Sequence, residues 1–320
     1  MRRSILNIIN IINFGEIISK KILPAKYHPL FTPIKTFIKK RLIREKVLKG
    51  IWYVTWLCNF KCPYCWQWQE PGKYRVSYKV KPEQWINGWR KILEIEKFDY
   101  AVIGISGGEP FMYPGFLDLL SKLPSNMYYD ITTNLSLLDT NKFLEIAKDR
   151  CIGVICSFHP SNPTNSKKYM EEFYQKVEKL KVLPHTRINF VAAPSNLKYY
   201  EIIKSISDEL KVPLHVDRYV MLDGEPEFSE EEKQFVEKII SKDRKVEFDI
   251  GKKVKCSAGK DYIVLFPDGE VYQCLTKAEK GIGKIGNFFD ERFRLSDKLS
   301  TCSIYPYCRG CDRDNVKITT

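Results

Sequence analysis

The sequence predicts an α/β fold in which six β/α units build a parallel sheet and a smaller cysteine-bearing domain follows. Three observations predict it. From residue 51 onward, short runs rich in β-branched and aromatic residues alternate with amphipathic helical patterns. That alternation ends near residue 222. Eight of the ten cysteines form two groups, one in the first loop of the alternating region and one after its end.

The predicted strands are Ile51–Trp56, Tyr100–Ser106, Met127–Thr133, Ile152–Phe158, Thr186–Ala192 and Leu214–Val220, with helical patterns near 83–97, 115–123, 139–149, 167–180 and 197–209. Right-handed crossovers curl such a sheet into a barrel or a doubly wound layer, and function gathers in the loops after the C-terminal strand ends. After residue 222 the pattern changes. Glu225–Lys242 is a charged helical stretch, and Pro267-Asp268-Gly269 marks a hairpin between two β-rich runs. The expected domains are an N-terminal segment over 1–50, a core over 51–222, and a linker helix with a small metal-bearing domain over 223–320.

The net charge of +13 is concentrated at the N-terminus: residues 1–50 carry twelve Lys or Arg against Glu16 and Glu45. The main body is nearly balanced, so no nucleic-acid partner is expected. Within residues 1–48, Ile5, Ile8, Ile9, Ile12, Ile17 and Ile18 fall at helical spacing, and Ile34–Val47 mixes apolar residues with Lys39, Lys40, Arg41 and Arg44. Basic amphipathic stretches of this kind lie on an anionic membrane surface or a partner, or pack on their own domain. Ser4–Ile18 is too short and too rich in Asn to span a bilayer, and no small-residue cleavage site follows it. The expected location is the cytoplasm, with peripheral contact at the inner membrane face.

Ten cysteines in 320 residues do not form a small secreted disulfide framework. Cys151 and Cys156 lie in an apolar run and read as buried hydrophobes. Cys58, Cys62 and Cys65 have the spacing C-x3-C-x2-C on one short loop. Three thiolates so placed can hold three corners of a cubane iron–sulfur cluster and leave one iron open to a non-protein ligand. Structural zinc sites instead use paired C-x2-C halves and close all four positions.

These cysteines after a first strand, with Ser106-Gly107-Gly108-Glu109-Pro110 after a second, resemble the radical S-adenosylmethionine (SAM) enzymes over residues 51 to about 222. The resemblance implies a partial (β/α)6 TIM-type barrel, a 4Fe–4S cluster on the three cysteines, and SAM chelated to the open iron. It implies that Gly107, Gly108 and Glu109 contact the SAM amino group, with the glycines letting the backbone come close. Thr132-Thr133-Asn134 resembles the family's ribose-contacting strand end, so Thr133 and Asn134 are carried over as contacts. Leu135 stands where members often have Gly. Ser157 resembles a ribose or carboxylate contact, Arg187 a partner for the SAM carboxylate, and Tyr64 or Trp66 a platform for adenine. His159 is placed either to face substrate or to bond its loop, and His215 and Asp217 to line the barrel. The implied reaction is reductive cleavage of SAM to a 5′-deoxyadenosyl radical, which takes a substrate hydrogen atom, with a flavodoxin or ferredoxin as reductant.

The late cysteines resemble the SPASM and twitch extensions of the same enzymes. Cys256-x12-Gly269-x4-Cys274 is followed by Cys302-x5-Cys308-x2-Cys311. The resemblance implies one auxiliary 4Fe–4S cluster on Cys256, Cys274, Cys308 and Cys311, with Cys302 as spare or substitute; tetrahedral zinc is the alternative. The expected substrate is a small molecule, such as a sugar or lipid-linked precursor, or a ribosomally made peptide. The competing function class is a non-enzymatic electron carrier with two clusters.

Overall fold

The computed structural model of the chain describes residues 45–65, 67, 80–147, 149–160, 166–219, 227–240, 254–304, 316 and 318–319. Residues 1–44, Trp66, Cys308 and Cys311 lie outside the described residues. The first six strands are β1 (Val47–Thr55), β2 (Tyr100–Gly107), β3 (Met127–Thr133), β4 (Cys151–Phe158), β5 (Arg187–Ala192) and β6 (Leu214–Arg218). The connecting helices are α1 (Pro82–Ile95), α2 (Phe116–Lys122), α3 (Thr140–Ala147), α4 (Ser166–Leu180) and α5 (Tyr200–Leu210), with α6 (Glu230–Ile239) after β6. Strand β1 starts four residues before the predicted Ile51, because Val47–Gly50 pair in register with Tyr100–Ile103.

All neighbours from β1 to β6 are parallel and follow chain order. Without a reversal of strand order, right-handed crossovers put every helix on the same face. This decides between the two topologies left open by the sequence: the sheet is of the barrel kind, not doubly wound. It stays open, since β6 pairs only with β5 among the described strands.

Local pattern explains the layers. In β2, Ala101, Ile103 and Ile105 are buried while the alternate residues are half-buried, as the two-residue period of a strand requires. Helix α1 opens with Pro82 at its first position and Gln84 Oε1 accepting from Lys81 N (3.0 Å). It buries Trp85, Ile86, Trp89, Ile92 and Leu93, one apolar stripe at helical spacing. Trp85 and Trp89 close on Trp52 of β1, with ring centroids 5.0 and 5.5 Å away. The opposite face carries Ser106, Asp130, Thr132, Arg187, Asn189, His215 and Asp217, all half-buried or exposed.

Strands β8 (Tyr262–Leu265), β9 (Glu270–Tyr272) and β10 (Lys284–Asn287) extend this sheet, in the order β10-β9-β8-β1. Strand β8 runs parallel to β1, pairing Lys49–Trp52 with Tyr262–Leu265. The Pro267-Asp268-Gly269 turn joins β8 to antiparallel β9, with Phe266 N donating to Glu270 O (2.9 Å). A second sheet has the order β11-β7-β12, from β7 (Lys255–Cys256), β11 (Ser300–Thr301) and β12 (Ile318–Thr319). The short helix α7 (Leu275–Glu279) starts directly after Cys274.

Candidate cluster and cofactor site

The three-cysteine loop leaves the C-terminal end of β1. Cys62 is buried, and Cys58 and Cys65 are half-buried. The backbone turns back on itself through Cys65 N donating to Cys62 O (3.0 Å), and Phe60 N points at Cys58 Sγ (3.4 Å). Burial pushes the Cys58 thiol up to about 11 against that N–H, and the Cys62 thiol up to about 12 against a hydrogen bond from Tyr64. Among the described residues no three His, Cys, Asp or Glu side chains converge as a site for a single metal ion. A cubane cluster does not require that convergence, because each thiolate binds a different iron. The donor set fits such a cluster. An N–H already points at one sulfur, and beside another lies Gln67, 4% exposed, whose Nε2 has no partner among the described residues.

The second loop is tied to the first by backbone. Gly108 N donates to Thr55 O and Glu109 N to Leu57 O, both at 2.8 Å. The glycines are required by this approach of the chain to itself. A Cβ on Gly107, whose φ is +143°, would lie 2.1 Å from Thr55 O, and one on Gly108 would lie 2.2 Å from Leu57 O. The space that the glycines leave is therefore filled by the segment that launches the cysteines.

Glu109 turns inward and is 0% exposed. Its Oε1 accepts from Thr133 Oγ1 (2.8 Å) and Phe111 N (3.1 Å), and its Oε2 from Asn134 N (2.8 Å). Burial pushes the carboxyl up, against these three donors. Thr133 Oγ1 in turn accepts from Leu135 N (3.0 Å). The Asn134 side chain donates to Asn59 Oδ1 (3.1 Å), inside the cysteine loop, and Asn59 Nδ2 donates to Ser136 Oγ (2.8 Å). Thus Glu109, Thr133, Asn134 and Asn59 lock the ends of β1, β2 and β3 together. Leu135, at the position where glycine is usual in the family, takes the left-handed φ of +64°. It is 1% exposed, and its carbonyl accepts from Lys176 Nζ of α4 (2.6 Å); packing and this bond hold a conformation that disfavours a side chain.

Strand β4 supplies the third tie. Tyr64 Oη and His159 Nδ1 are 2.8 Å apart. His159 N donates to Tyr169 Oη (3.0 Å), and the His159 ring packs edge-on against Phe60. Burial lowers His159 to about 4, so the ring is neutral at pH 7. Cys62 and Tyr64 also pack with Ala193 beyond β5. Ser157 is buried in register with Asn189.

On the open face, Asp217 accepts from Asn189 Nδ2 (2.8 Å) and lies 3.0 Å from His215 Nε2. Burial raises Asp217, but the hydrogen bonds from His215 and Asn189 outweigh it and hold the carboxyl below its ordinary range. Burial pushes Asp130 up to about 6, against the charge of Arg187. Arg187 sits at the start of β5, in register with Ile155 of β4, and its charge acts on both Asp130 and Asp217.

The late cysteines that are described share one apolar cluster. Cys256 and Cys274 are buried with Tyr262, Val264 and Ile304, and Cys302 packs against them. Pairing of β11 with β7 brings Cys302 close, since Cys302 N donates to Val254 O (3.0 Å). Ala258 N points at Cys256 Sγ (3.4 Å), the same geometry as Phe60 N on Cys58. Asn59, Gln67, Asp130 and Lys176 escaped the sequence reading. Asn59, inside the cysteine run, and Gln67, two residues after it, do carry a signal as polar residues beside the cysteines, whereas nothing in the sequence marks Lys176.

The radical SAM superfamily model matches residues 52–232. The chain belongs to the radical SAM superfamily. Its members are enzymes that use a 4Fe–4S cluster and S-adenosylmethionine. Among solved structures, the chain is similar to SuiB of Streptococcus suis bound to S-adenosylmethionine, at 15% identity, a TM-score of 0.54 and coverage of 88% of this chain and 73% of that one. The complex of SuiB with its precursor peptide SuiA gives 16%, 0.54, 88% and 74%. Native anSMEcpe with bound AdoMet gives 16%, 0.52, 76% and 78%. At these identities the likeness is one of fold. No curated protein matches the chain. Among the described residues no helix is long and apolar enough to cross a membrane.

Proposed function

We propose that this radical SAM enzyme holds its cluster on Cys58, Cys62 and Cys65 and takes a hydrogen atom from a C–H bond of a small-molecule or peptide substrate. The observation that carries the reading is the tie between the two motif loops, Gly108 N to Thr55 O and Glu109 N to Leu57 O. It sets the Gly107-Gly108 backbone beside the root of the cysteine loop, where a ligand of the open iron has to be met. When bound, the cluster and SAM supply reductive cleavage of a carbon–sulfur bond and the 5′-deoxyadenosyl radical.

The chain's own residues position and shield. Gly107 and Gly108 offer backbone groups at the strand end, and Glu109 holds that loop from within. Thr133, Asn134 and Ser157 at the ends of β3 and β4 serve the ribose and carboxylate side of SAM, Tyr64 its adenine, and Arg187 its carboxylate. Asn189, His215 and Asp217 on the open face meet polar groups of the substrate. An electron carrier needs neither the glycine loop nor that polar face.

Cys256, Cys274, Cys308 and Cys311, with Cys302 in reserve, hold an auxiliary 4Fe–4S cluster in a SPASM- or twitch-like domain over 223–320, which accepts an electron in a net oxidation. The shared burial of Cys256, Cys274 and Cys302 supports this part. A flavodoxin or ferredoxin is the reductant, and the basic segment 1–48 contacts an anionic membrane face in the cytoplasm. The deciding experiment is anaerobic reconstitution, reduction and assay for 5′-deoxyadenosine. Cleavage that is lost in Cys62→Ala supports the reading; no cleavage by reduced wild-type protein with full iron content sinks it. Deleting residues 1–48 tests the membrane part by vesicle co-sedimentation, and unchanged partitioning refutes it.

A further inference from the structure

Two side chains of the cysteine loop stand beside its sulfurs with hydrogen-bonding capacity directed at them. Gln67 is 4% exposed, its Oε1 lies 3.9 Å from Cys65 Sγ, and its Nε2 is buried with no partner among the described residues. With Cys65 as a thiol, the S–H donates to the amide oxygen. A thiolate only accepts. Turning the amide by half a turn then directs an N–H at the sulfur, with the carbonyl oxygen taking the place that Nε2 held.

Tyr64 stands by Cys62, buried with it in one cluster that also holds Ala193. The Tyr64 hydroxyl has one proton to give, His159 Nδ1 lies 2.8 Å from it, and Cys62 is packed beside the same side chain. A neutral imidazole carries its proton on only one nitrogen. With the proton on Nδ1, His159 donates to Tyr64 Oη and the phenol proton is released toward the sulfur. With it on Nε2, the phenol donates to His159 and its proton is not offered to the sulfur. Tyr169 Oη, bonded to His159 N, and the edge of Phe60 hold the imidazole in place.

We propose that Tyr64 and Gln67 donate hydrogen bonds to the cluster-bound thiolates of Cys62 and Cys65, and that His159 is the positioning residue that turns the Tyr64 hydroxyl toward sulfur. Hydrogen bonds to cluster sulfurs stabilise the more negative, reduced state and raise its reduction potential. This rests on the reading of Cys58, Cys62 and Cys65 as cluster ligands.

The test is an EPR-monitored redox titration of the full-length, anaerobically reconstituted protein without SAM, with iron and sulfide content measured on each sample. Tyr64→Phe and Gln67→Leu are expected to keep wild-type iron content and to titrate at more negative potential. Each loss corresponds to roughly a tenfold smaller reduced-to-oxidised ratio at fixed potential, or about 59 mV for one electron. His159→Ala shifts the midpoint the same way, and His159→Asn, whose amide N–H replaces Nδ1–H, restores it. A residue that merely shapes the loop lowers iron content without moving the midpoint of the cluster that forms. Wild-type midpoints in Tyr64→Phe and Gln67→Leu overturn the proposal. If Tyr64→Phe holds no iron, Gln67→Leu and His159→Ala decide alone, and unchanged midpoints in both overturn it. Wild-type protein that takes up no iron overturns the ligand assignment, and this proposal with it; iron analysis tells that failure apart.

Discussion

Removing the Glu109 carboxylate tests whether it acts as an internal tie or as a ligand contact. Its oxygens satisfy Thr133 Oγ1–H, Phe111 N–H and Asn134 N–H, and no part of the residue reaches solvent. In Glu109→Ala all three donors lose their acceptor. A buried donor left unsatisfied costs roughly 1–3 kcal/mol. The Thr133 hydroxyl can turn away, so the two backbone N–H groups dominate, and the expected loss of stability is about 3–5 kcal/mol. Glu109→Gln keeps the shape and two acceptor contacts but sets an NH2 against one backbone N–H, for a loss of about 1–3 kcal/mol. The assay is urea denaturation of the cluster-free protein followed by tryptophan fluorescence, since Trp52, Trp85 and Trp89 are all buried in the core. A ligand contact would instead leave cluster-free stability unchanged and weaken SAM binding alone. A loss under 1 kcal/mol in Glu109→Ala refutes the internal role.

Gly108→Ala places a Cβ 2.2 Å from Leu57 O; backbone must move, and iron uptake on reconstitution should fall severalfold while far-UV circular dichroism is retained. Asp130 is raised to about 6 from an ordinary value of 3.8, so its carboxylate form opposes folding above pH 6 and its stabilising neutral form is present below pH 4. Asp130→Asn should therefore stabilise the protein at pH 7, by at most about 3 kcal/mol, and give no gain at pH 4 when unfolding is measured at both. Cys58 and Cys62, held near 11 and 12 by burial, must lose protons to bind iron. The initial rate of iron incorporation should rise with pH between 7 and 9, with proton release into weakly buffered solution. Cys274→Ala should retain SAM cleavage but lose net substrate turnover, measured as 5′-deoxyadenosine against product.

Several features of the site were legible in the sequence because they are local. The spacing Cys58-x3-Cys62-x2-Cys65 and the Gly107-Gly108 pair follow strands whose two-residue and helical periods are plain. His215 and Asp217 share a face because they are two apart in a strand. What was not legible is that Gly107 and Gly108 also make room for the chain itself, since a Cβ on either would meet Thr55 or Leu57 backbone. Nor was the partner of Tyr64, 95 residues away in the chain. Contacts across such distances depend on which strand ends lie side by side, and no local pattern encodes that.

The sequence by itself determined the six β/α units, the order of their loops and the chemistry those loops carry, because periodicity, turn residues and motif spacing act over a few residues. Only the tertiary structure decided that strand order never reverses, that β8 joins the sheet alongside β1, and that Glu109 and Asn134 bind the loops from within. The physical reason is that buried hydrogen bonds and register are settled by packing of distant segments, where an unpaired donor costs more than any local preference returns.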